Sequence, residues 1–506
     1  MLNTVLFQGH KILASFILLS ILFSLLLFLF SGSLQIKRTM RADVPFIEFK
    51  AHMDERIPAL MKLYEIPGCS IALVKDREVV WTEAYGYADV ESGRALTVDT
   101  PMSVQSITKS VTAWGIMRLA EKGLIDLDAP IAQYLKSWKI PNSGYPTEKI
   151  TTRQLLSHTA GMPLGDFDNI YAPGEVMPSN RDVMTREAVP IYEAGAGFSY
   201  SNVGYNILEI LIEDVTGQSF SEYLHSEIFL PLGMESATFE IDTAASPYPP
   251  TGYNLSGKPV PVYLYPSKAS GGLFATADDI ARFAAAGLKE NPVLNSESVE
   301  QMFQPESYKI GIYGLIFEAY GLGHFIEKLP NGSISVSHGG QGNGIMTHFQ
   351  SVPETGDAVV ILTNSQRSWP LIAYVLSDWA QWRAFPSVGM GKIIWGHYGL
   401  CAVIGMLISA GLLMMLRLIV GFHRQKRAAF RVLRAGTAVI LLGVLIWCIS
   451  QEYLFVTSVF PVLSMWLGGS VLEFSIALLL SALFPASPRK PDTDGRKKTQ
   501  QLSLNK

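Results

Sequence analysis

Ser106 and Lys109, in the run Val104-Gln-Ser-Ile-Thr-Lys-Ser110, form an S-x-x-K pair at the start of a helical segment. Residues three apart share a helix face, so hydroxyl and amine can meet. Ser106 also falls where unpaired N–H groups and the helix dipole favour a developing negative charge. Beyond Lys109 the segment is apolar nearly all round, through Val111, Ala113, Trp114, Ile116, Met117 and Leu119, which implies burial. Burial lowers a lysine pKa and makes the amine a base for the serine hydroxyl. The pair alone decides little. Ser487-Pro-Arg-Lys490 has the same spacing in a charged tail, and an N-cap serine beside a solvated lysine is the plainer reading.

Tyr200-Ser201-Asn202 is the only Y-x-N in the chain and stands in a Gly-rich loop immediately before a helix. A tyrosine phenolate beside a lysine can act as a general base, and an Asn amide can donate to and accept from a substrate amide. The plainer reading is a core tyrosine and an N-cap asparagine. A third element, Val336-Ser-His-Gly-Gly-Gln-Gly-Asn343, follows a strand directly. Gly339 and Gly340 let a substrate backbone approach the strand edge, and an N–H there can complete an oxyanion hole with that of Ser106. The segment superficially resembles a phosphate loop but lacks the following Lys-Ser/Thr and the downstream helix.

These residues must be positioned by about 340 residues of ordinary globular texture, from about 45 to 385. Phe46 to Tyr64 has helical periodicity, and Cys69 to Val74 with Val79 to Tyr85 reads as a β-hairpin. Further short strands are expected at 334–337, 345–350 and 358–363, and helices at 106–122, 203–216 and 278–287. Strands at both ends of a helix-rich centre predict an α/β (α+β) domain, an antiparallel sheet flanked by helices and closed by the two ends of the domain.

The rest of the chain is apolar. A mean hydropathy of +0.23 with 17% charged residues is too greasy for soluble domains alone. A net charge of −4 gives no basic field and implies no nucleic-acid partner, and three cysteines, Cys69, Cys401 and Cys448, make neither a disulfide framework nor a metal pattern. Ile12 to Phe30 carries no charge and is long enough to cross a hydrocarbon core of roughly 30 Å; residues 1–40 are therefore a signal anchor or a signal peptide. Tyr398–Leu416, Ala435–Ser450 and Leu463–Phe484 are three more spans within 393–485, with Glu473 inside the last. Arg417, Arg424, Lys426, Arg427, Arg431 and Arg434 between two spans, and the basic tail within 486–506, are cytoplasmic by the positive-inside rule, although Lys37, Arg38 and Arg41 run against it. Residues from Ser31 to about Trp395 are then extracytoplasmic.

The ordered set Ser106-x-x-Lys109, Tyr200-x-Asn202 and His338-Gly-Gly340 resembles the serine β-lactamase-like superfamily: class C β-lactamases, low-molecular-mass penicillin-binding proteins, D-stereospecific aminopeptidases and related esterases. LLSHTAGMP (155–163), PLGM (231–234), SGGLFATADDIARF (270–283), YGLGHF (320–325) and the PETG turn (353–356) extend the likeness in family order. The resemblance implies an antiparallel sheet flanked by helices beside an all-helical lobe, with the site between them. It implies Ser106 as nucleophile, Lys109 and Tyr200 as proton shuttles, the N–H groups of Ser106 and Gln341 at the oxyanion, Asn202 on the substrate amide and His338 lining the opposite wall. No metal or cofactor is implied; the partner is a peptide or small-molecule substrate at the inner membrane of a bacterial cell. His-Gly-Gly replaces the family's Lys-Thr-Gly, whose Lys and Thr meet the substrate carboxylate, so peptidase, amidase or esterase chemistry is favoured over β-lactam hydrolysis. The absence of a G-x-S-x-G argues against an α/β-hydrolase. The layout is also similar to membrane-bound peptidases that remove an N-acyl-D-asparagine cap from nonribosomal-peptide prodrugs, and a sensor acylated on Ser106 without turnover is the binding-class alternative.

Overall fold

The computed structural model of the protein describes residues 2–30, 40–166, 168–419, 428–451 and 453–483. Lys37, Arg38, Arg424, Lys426, Arg427, Glu452 and the basic tail lie outside the described residues. The helices used below are α1 (Leu2–Phe30), α2 (Phe46–Tyr64), α3 (Ile107–Glu121), α4 (Asn180–Glu187), α5 (Asn202–Thr216) and α6 (Ala277–Ala286). They continue with α7 (Trp369–Trp382), α8 (Lys392–Ile419), α9 (Ala428–Ser450), α10 (Phe455–Val459) and α11 (Pro461–Leu483). The chain separates into one unit of Met1–Leu34, Gly396–Leu454 and Val462–Lys506, and another of Gln35–Trp395 with Phe455–Pro461.

The second unit is built on an antiparallel sheet. Its strands are β1 (Gly68–Lys75), β2 (Glu78–Asp89), β3 (Arg94–Ala95), β4 (Ala319–Tyr320), β5 (Phe325–Lys328), β6 (Ile334–Gly342), β7 (Ile345–Val352) and β8 (Asp357–Thr363). They lie in the order β3-β2-β1-β8-β7-β6-β5-β4. Asp76 and Arg77 both take positive φ, 53° and 70°, the two-residue turn whose twist matches a hairpin. β1 then pairs with β8 from Cys69↔Thr363 to Val74↔Ala358, so the two ends of the domain do meet in mid-sheet.

β7 and β8 are buried along their whole length because helices cover both faces. Phe349 meets Phe283 of α6 edge-on at 6.1 Å. On the opposite face, His348 and Trp369 of α7 both crowd Gly339. On α7, Trp382 stacks on Phe49 of α2 at 4.1 Å, and Asp378 accepts from Arg56 Nε at 2.8 Å beside His52 Nε2 at 3.1 Å. Cys69 is fully buried, and burial pushes its thiol up to about 12, leaving it unreactive.

Between β3 and β4 the chain forms a helical lobe around α3 and α5. Leu208, Ile210, Leu211 and Ile212 of α5 and Val111, Trp114 and Ile116 of α3 are almost wholly buried; each such side chain contributes roughly 1.5–3 kcal/mol. Ser201 caps α5, accepting from Gly204 N–H at 2.9 Å, and Gly217 ends it at φ 71°.

Among the described residues, four helices are long and apolar enough to cross a membrane, with spans Ile12–Leu29, Gly389–Ile419, Phe430–Ser450 and Pro461–Leu483. Three of them begin earlier than hydropathy alone predicts, because charged or polar ends such as Lys392 and Arg431 still satisfy helical hydrogen bonding. Gly405 of α8 faces α1 so closely that a Cβ would lie 2.8 Å from the Ser20 carbonyl oxygen, a small-residue contact of the kind that packs membrane helices. Gly411 of α8 leaves the space that the Glu473 carboxylate of α11 occupies.

Candidate active site

The turn that carries Ser106 is held under backbone strain. Gln105 has φ 53°, an uncommon conformation for a non-glycine residue, and four hydrogen bonds fix it. Its Nε2 donates to Ser103 Oγ at 2.8 Å and Tyr263 OH at 3.2 Å, its Oε1 accepts from Tyr265 OH at 3.1 Å, and its carbonyl accepts from Thr108 Oγ1 at 2.6 Å. Ser106 follows at the N-cap position of α3, yet its side chain makes no capping bond. The hydroxyl is therefore left for other work.

Lys109 Nζ is fully buried and lies 3.0 Å from Ser106 Oγ, 2.7 Å from Asn202 Oδ1 and 2.7 Å from the Ser270 carbonyl oxygen. Burial pushes its pKa well below the usual lysine value, since no carboxylate offsets the loss of water. A neutral amine has two N–H donors and one lone pair. The two shorter contacts, to carbonyl-type oxygens, take the donors and leave the lone pair for the Ser106 hydroxyl.

Tyr200 stands on the other side of the amine, with Nζ 5.0 Å from its ring centroid. Burial, and then the nearby Tyr313, raise its phenol well above the ordinary value, while a hydrogen bond with Ser106 works the other way. The resting phenol is protonated, so the phenolate expected from the sequence gives way to a neutral hydroxyl that can pass a proton on. The plainer reading of Asn202 as the cap of the following helix does not hold: Ser201 has that position, and Asn202 meets Lys109.

His338 departs from expectation as well. It is fully buried in β6, with Nε2 3.1 Å from Tyr320 OH and Nδ1 2.8 Å from the Gly339 carbonyl, and it is not among the residues that line the cleft. Burial pushes its pKa well below the usual imidazole value. The wall itself is Gln341. β5 pairs with β6 only from Ile334 to Ser337, so among the described residues the edge from His338 to Gly342 has no strand partner on that side. Gly340 brings this edge against the turn that carries Ser106: a Cβ there would lie 2.8 Å from Gln105 Cβ and collide with the Val104 carbonyl. Thr347 Oγ1 clamps the same carbonyl from β7 at 2.8 Å.

Ser106, Asn202, Ser270 and Gln341 thus line one open cleft. The family described as beta-lactamase matches residues 53–373. The chain belongs to the beta-lactamase family. It is similar to protein flp of Staphylococcus aureus (strain COL), 28% identical over 308 residues, which is 59% of this chain and 60% of that protein. This chain therefore spans about three fifths of the length of that curated relative. Among solved structures, it is similar to the octameric penicillin-binding protein homologue from Pyrococcus abyssi, with 27% identity, a TM-score of 0.56 and coverage of 67% of this chain and 77% of that one. A class C beta-lactamase, 18% identical, shares the fold over 67% of this chain and 97% of its own length with a TM-score of 0.55.

Sequence reasoning missed several residues that shape this beta-lactamase-family site. His158, inside the block 155–163, accepts from Ser201 N–H at 3.1 Å and packs its ring 4.3 Å from that of Tyr200. Burial, with Lys109 adding to it, keeps this imidazole neutral. Glu209, fully inside the lobe, accepts from the N–H groups of Lys268 at 2.6 Å and Ala269 at 2.9 Å, holding the turn that offers Ser270 O to Lys109. The only sequence signal for Glu209 is one acid inside an apolar helical stretch.

Proposed function

We propose that this chain is a membrane-anchored serine hydrolase that acts through an acyl-enzyme on a D-amino-acid-containing peptide, amide or ester outside the cytoplasm. The observation that carries this reading is the placement of Lys109 Nζ between Ser106 Oγ, Asn202 Oδ1 and Ser270 O. Ser106 Oγ adds to the carbonyl carbon while its proton moves to Lys109. The oxyanion is held by the N–H groups of Ser106 and Gln341. Collapse breaks the carbonyl C–N or C–O bond, and the leaving group takes a proton through Tyr200 OH. Water then cleaves the ester, giving its proton along the same path, and Ser106 is restored.

Membrane attachment is supported by the four long apolar helices, and retention of the N-terminal one by the close contact of Gly405 with Ser20. The extracytoplasmic assignment rests on the basic segments. It is also supported by Phe455–Pro461, the connection between the last two spans, which packs within the catalytic unit: Ser458 Oγ donates to the Gln366 carbonyl at 2.8 Å. Two crossings, by α8 and α9, return the chain to the side it left, which agrees with that connection and the catalytic unit sharing one side. The His-Gly-Gly third motif and the trailing spans favour the D-asparaginyl peptidase branch as the substrate class to test first.

The test is a panel on the purified full chain: D-Ala-D-Ala peptide, N-acyl-D-Asn amide, D-alanyl ester and a chromogenic cephalosporin, each with Ser106→Ala. Turnover of at least one D-configured amide or ester that Ser106→Ala abolishes is expected. Turnover that survives Ser106→Ala, or a stoichiometric burst with no steady state, would overturn it, the latter in favour of an acylated sensor.

A further inference from the structure

The head of α8, residues 392–395, belongs to the catalytic unit. Lys392 Nζ donates to the Ile316 carbonyl at 3.2 Å, and Gly389 N–H, just before the helix, donates to the Glu327 carboxylate at 2.5 Å. The segment around Ile316 is thus tied to the point where the chain starts into its span. Resting on the membrane-anchored reading above, we infer that the short 3-10 helix Gly311–Leu315, with Tyr308 before it, is seated in the headgroup–acyl boundary of the leaflet that α8 enters.

A 3-10 helix has three residues per turn, so Ile312 and Leu315 share one edge. They are 60% and 65% exposed, and Tyr308 is 64% exposed. The neighbours that the fold needs are turned inward: Ile310 and Phe317 are buried, and Phe317 stacks on Phe325 at 4.3 Å. Exposed apolar side chains scattered singly are ordinary, but three large ones within residues 308–315, beside the head of a span, mark a contact surface. Lys309, also exposed, suits the same boundary, because its stem can lie along apolar surface while its ammonium stays in water.

Continuity with α8 identifies the occupant as lipid. The 28 residues of α8, at about 1.5 Å each, run roughly 42 Å, longer than a hydrocarbon core of roughly 30 Å. Counted back from Arg417, about 20 residues fill the core and put its boundary near His397. Trp395, 75% exposed, then has the place that such a boundary gives an aromatic ring. Lys392 lies three residues earlier, a rise of roughly 4.5 Å, and holds Ile316, the neighbour of Leu315, at the same level. The other side of the short helix carries Tyr313, whose ring is 5.2 Å from that of Tyr200. The lipid contact therefore backs directly onto the candidate active site.

The experiment attaches an environment-sensitive nitrobenzoxadiazole dye to Ile312→Cys, Leu315→Cys, Leu230→Cys or Ile440→Cys in the full chain. All four positions are exposed, Cys69 and Cys401 are buried, and each variant also carries Cys448→Ser. The protein is placed in phosphatidylcholine vesicles with or without bromine near the headgroup end of the acyl chains. Emission from 312 and 315 is expected to fall about twofold or more in the brominated vesicles, as it does from 440 within α9, while emission from 230 in the helical lobe stays unchanged. Quenching at 440 but at neither 312 nor 315 would overturn the lipid contact and leave the membrane anchor intact. Blue-shifted emission at 312 and 315 that bromine does not quench would assign the face to a protein partner or a second copy, and equal quenching at 230 would show no preference for this face; either overturns it. No quenching at 440 would overturn the membrane-anchored reading, and the contact with it.

Discussion

Asn202 Oδ1 accepts a hydrogen bond from Lys109 Nζ at 2.7 Å, tying the first turn of α5 to the first turn of α3. The two residues are 93 positions apart in sequence, yet their contact orients the amine toward Ser106. With Ser270 O taking the second donor, the direction of the lone pair is set by the fold before any substrate arrives.

Replacing Asn202 separates orientation from charge. Asn202→Leu removes one acceptor and should lower kcat/KM by about 10–100-fold, the effect of one charge-assisted hydrogen bond or its equivalent at a reacting centre. Asn202→Asp puts a carboxylate beside the amine, which favours the protonated lysine. The acid limb of the pH–rate profile should then move to higher pH, with activity at neutral pH reduced further than in the leucine variant. An unshifted limb would remove Lys109 as the base.

Glu209 acts at one remove. Its carboxylate holds the Lys268 and Ala269 N–H groups, and the same turn presents the Ser270 carbonyl. Glu209→Ala should cost about 2–4 kcal/mol of stability, since two buried N–H groups lose their acceptor. Glu209→Gln keeps one acceptor oxygen and should recover much of the stability, while kcat stays below wild type and KM changes little. Chemical denaturation and steady-state kinetics on both variants check this.

Stability should fall as pH drops below about 6.5. Four buried histidines are kept neutral, with His324 and His348 pushed down to about 4 by burial and His158 and His338 held well below 6.5. The unfolded chain takes up those protons first, so the stabilisation present above pH 6.5 is lost on acidification. Glu209 and Glu327, both pushed up to about 7 by burial, act oppositely: the folded chain binds their protons more tightly between 4.5 and 7. Four groups outweigh two, and each uncompensated proton is worth about 1.4 kcal/mol per pH unit. Glu209→Gln should make the acid slope steeper, which thermal unfolding between pH 5 and pH 8 would show.

The terminal helices test the closure of the sheet. Asp378→Ala leaves the Arg56 guanidinium, 7% exposed, without its carboxylate, and should cost about 3–5 kcal/mol. A melting-temperature change of less than a degree would show that α2 and α7 do not depend on this pair.

What the sequence made legible was whatever repeats at short range. The periodicity of Phe46–Tyr64, the hairpin around Asp76-Arg77 and the S-x-x-K spacing each depend on neighbours a few residues away, and the structure has them where the pattern predicts. The antiparallel sheet followed from strands at both ends of the domain. The unread part depends on long-range burial. Whether Tyr200 is a phenolate, whether His338 faces the cleft and whether Asn202 or Ser201 caps α5 are decided by which groups the lobe and the sheet exclude from water. Glu209 and Gln105 carry no motif, because the partners that fix them, Lys268 and Tyr265, lie 59 and 160 residues away in sequence.

The central claim is that Ser106 becomes acylated with Lys109 as its base. The most direct measurement is intact-mass and peptide-mapping mass spectrometry of the full chain after brief exposure to an acylating D-amino-acid ester. One acyl group on the peptide bearing Ser106 is predicted, accumulating in Tyr200→Phe because release is slowed, and absent from Ser106→Ala and Lys109→Met. An adduct on any other residue, or undiminished acylation of Ser106 in Lys109→Met, would contradict the account.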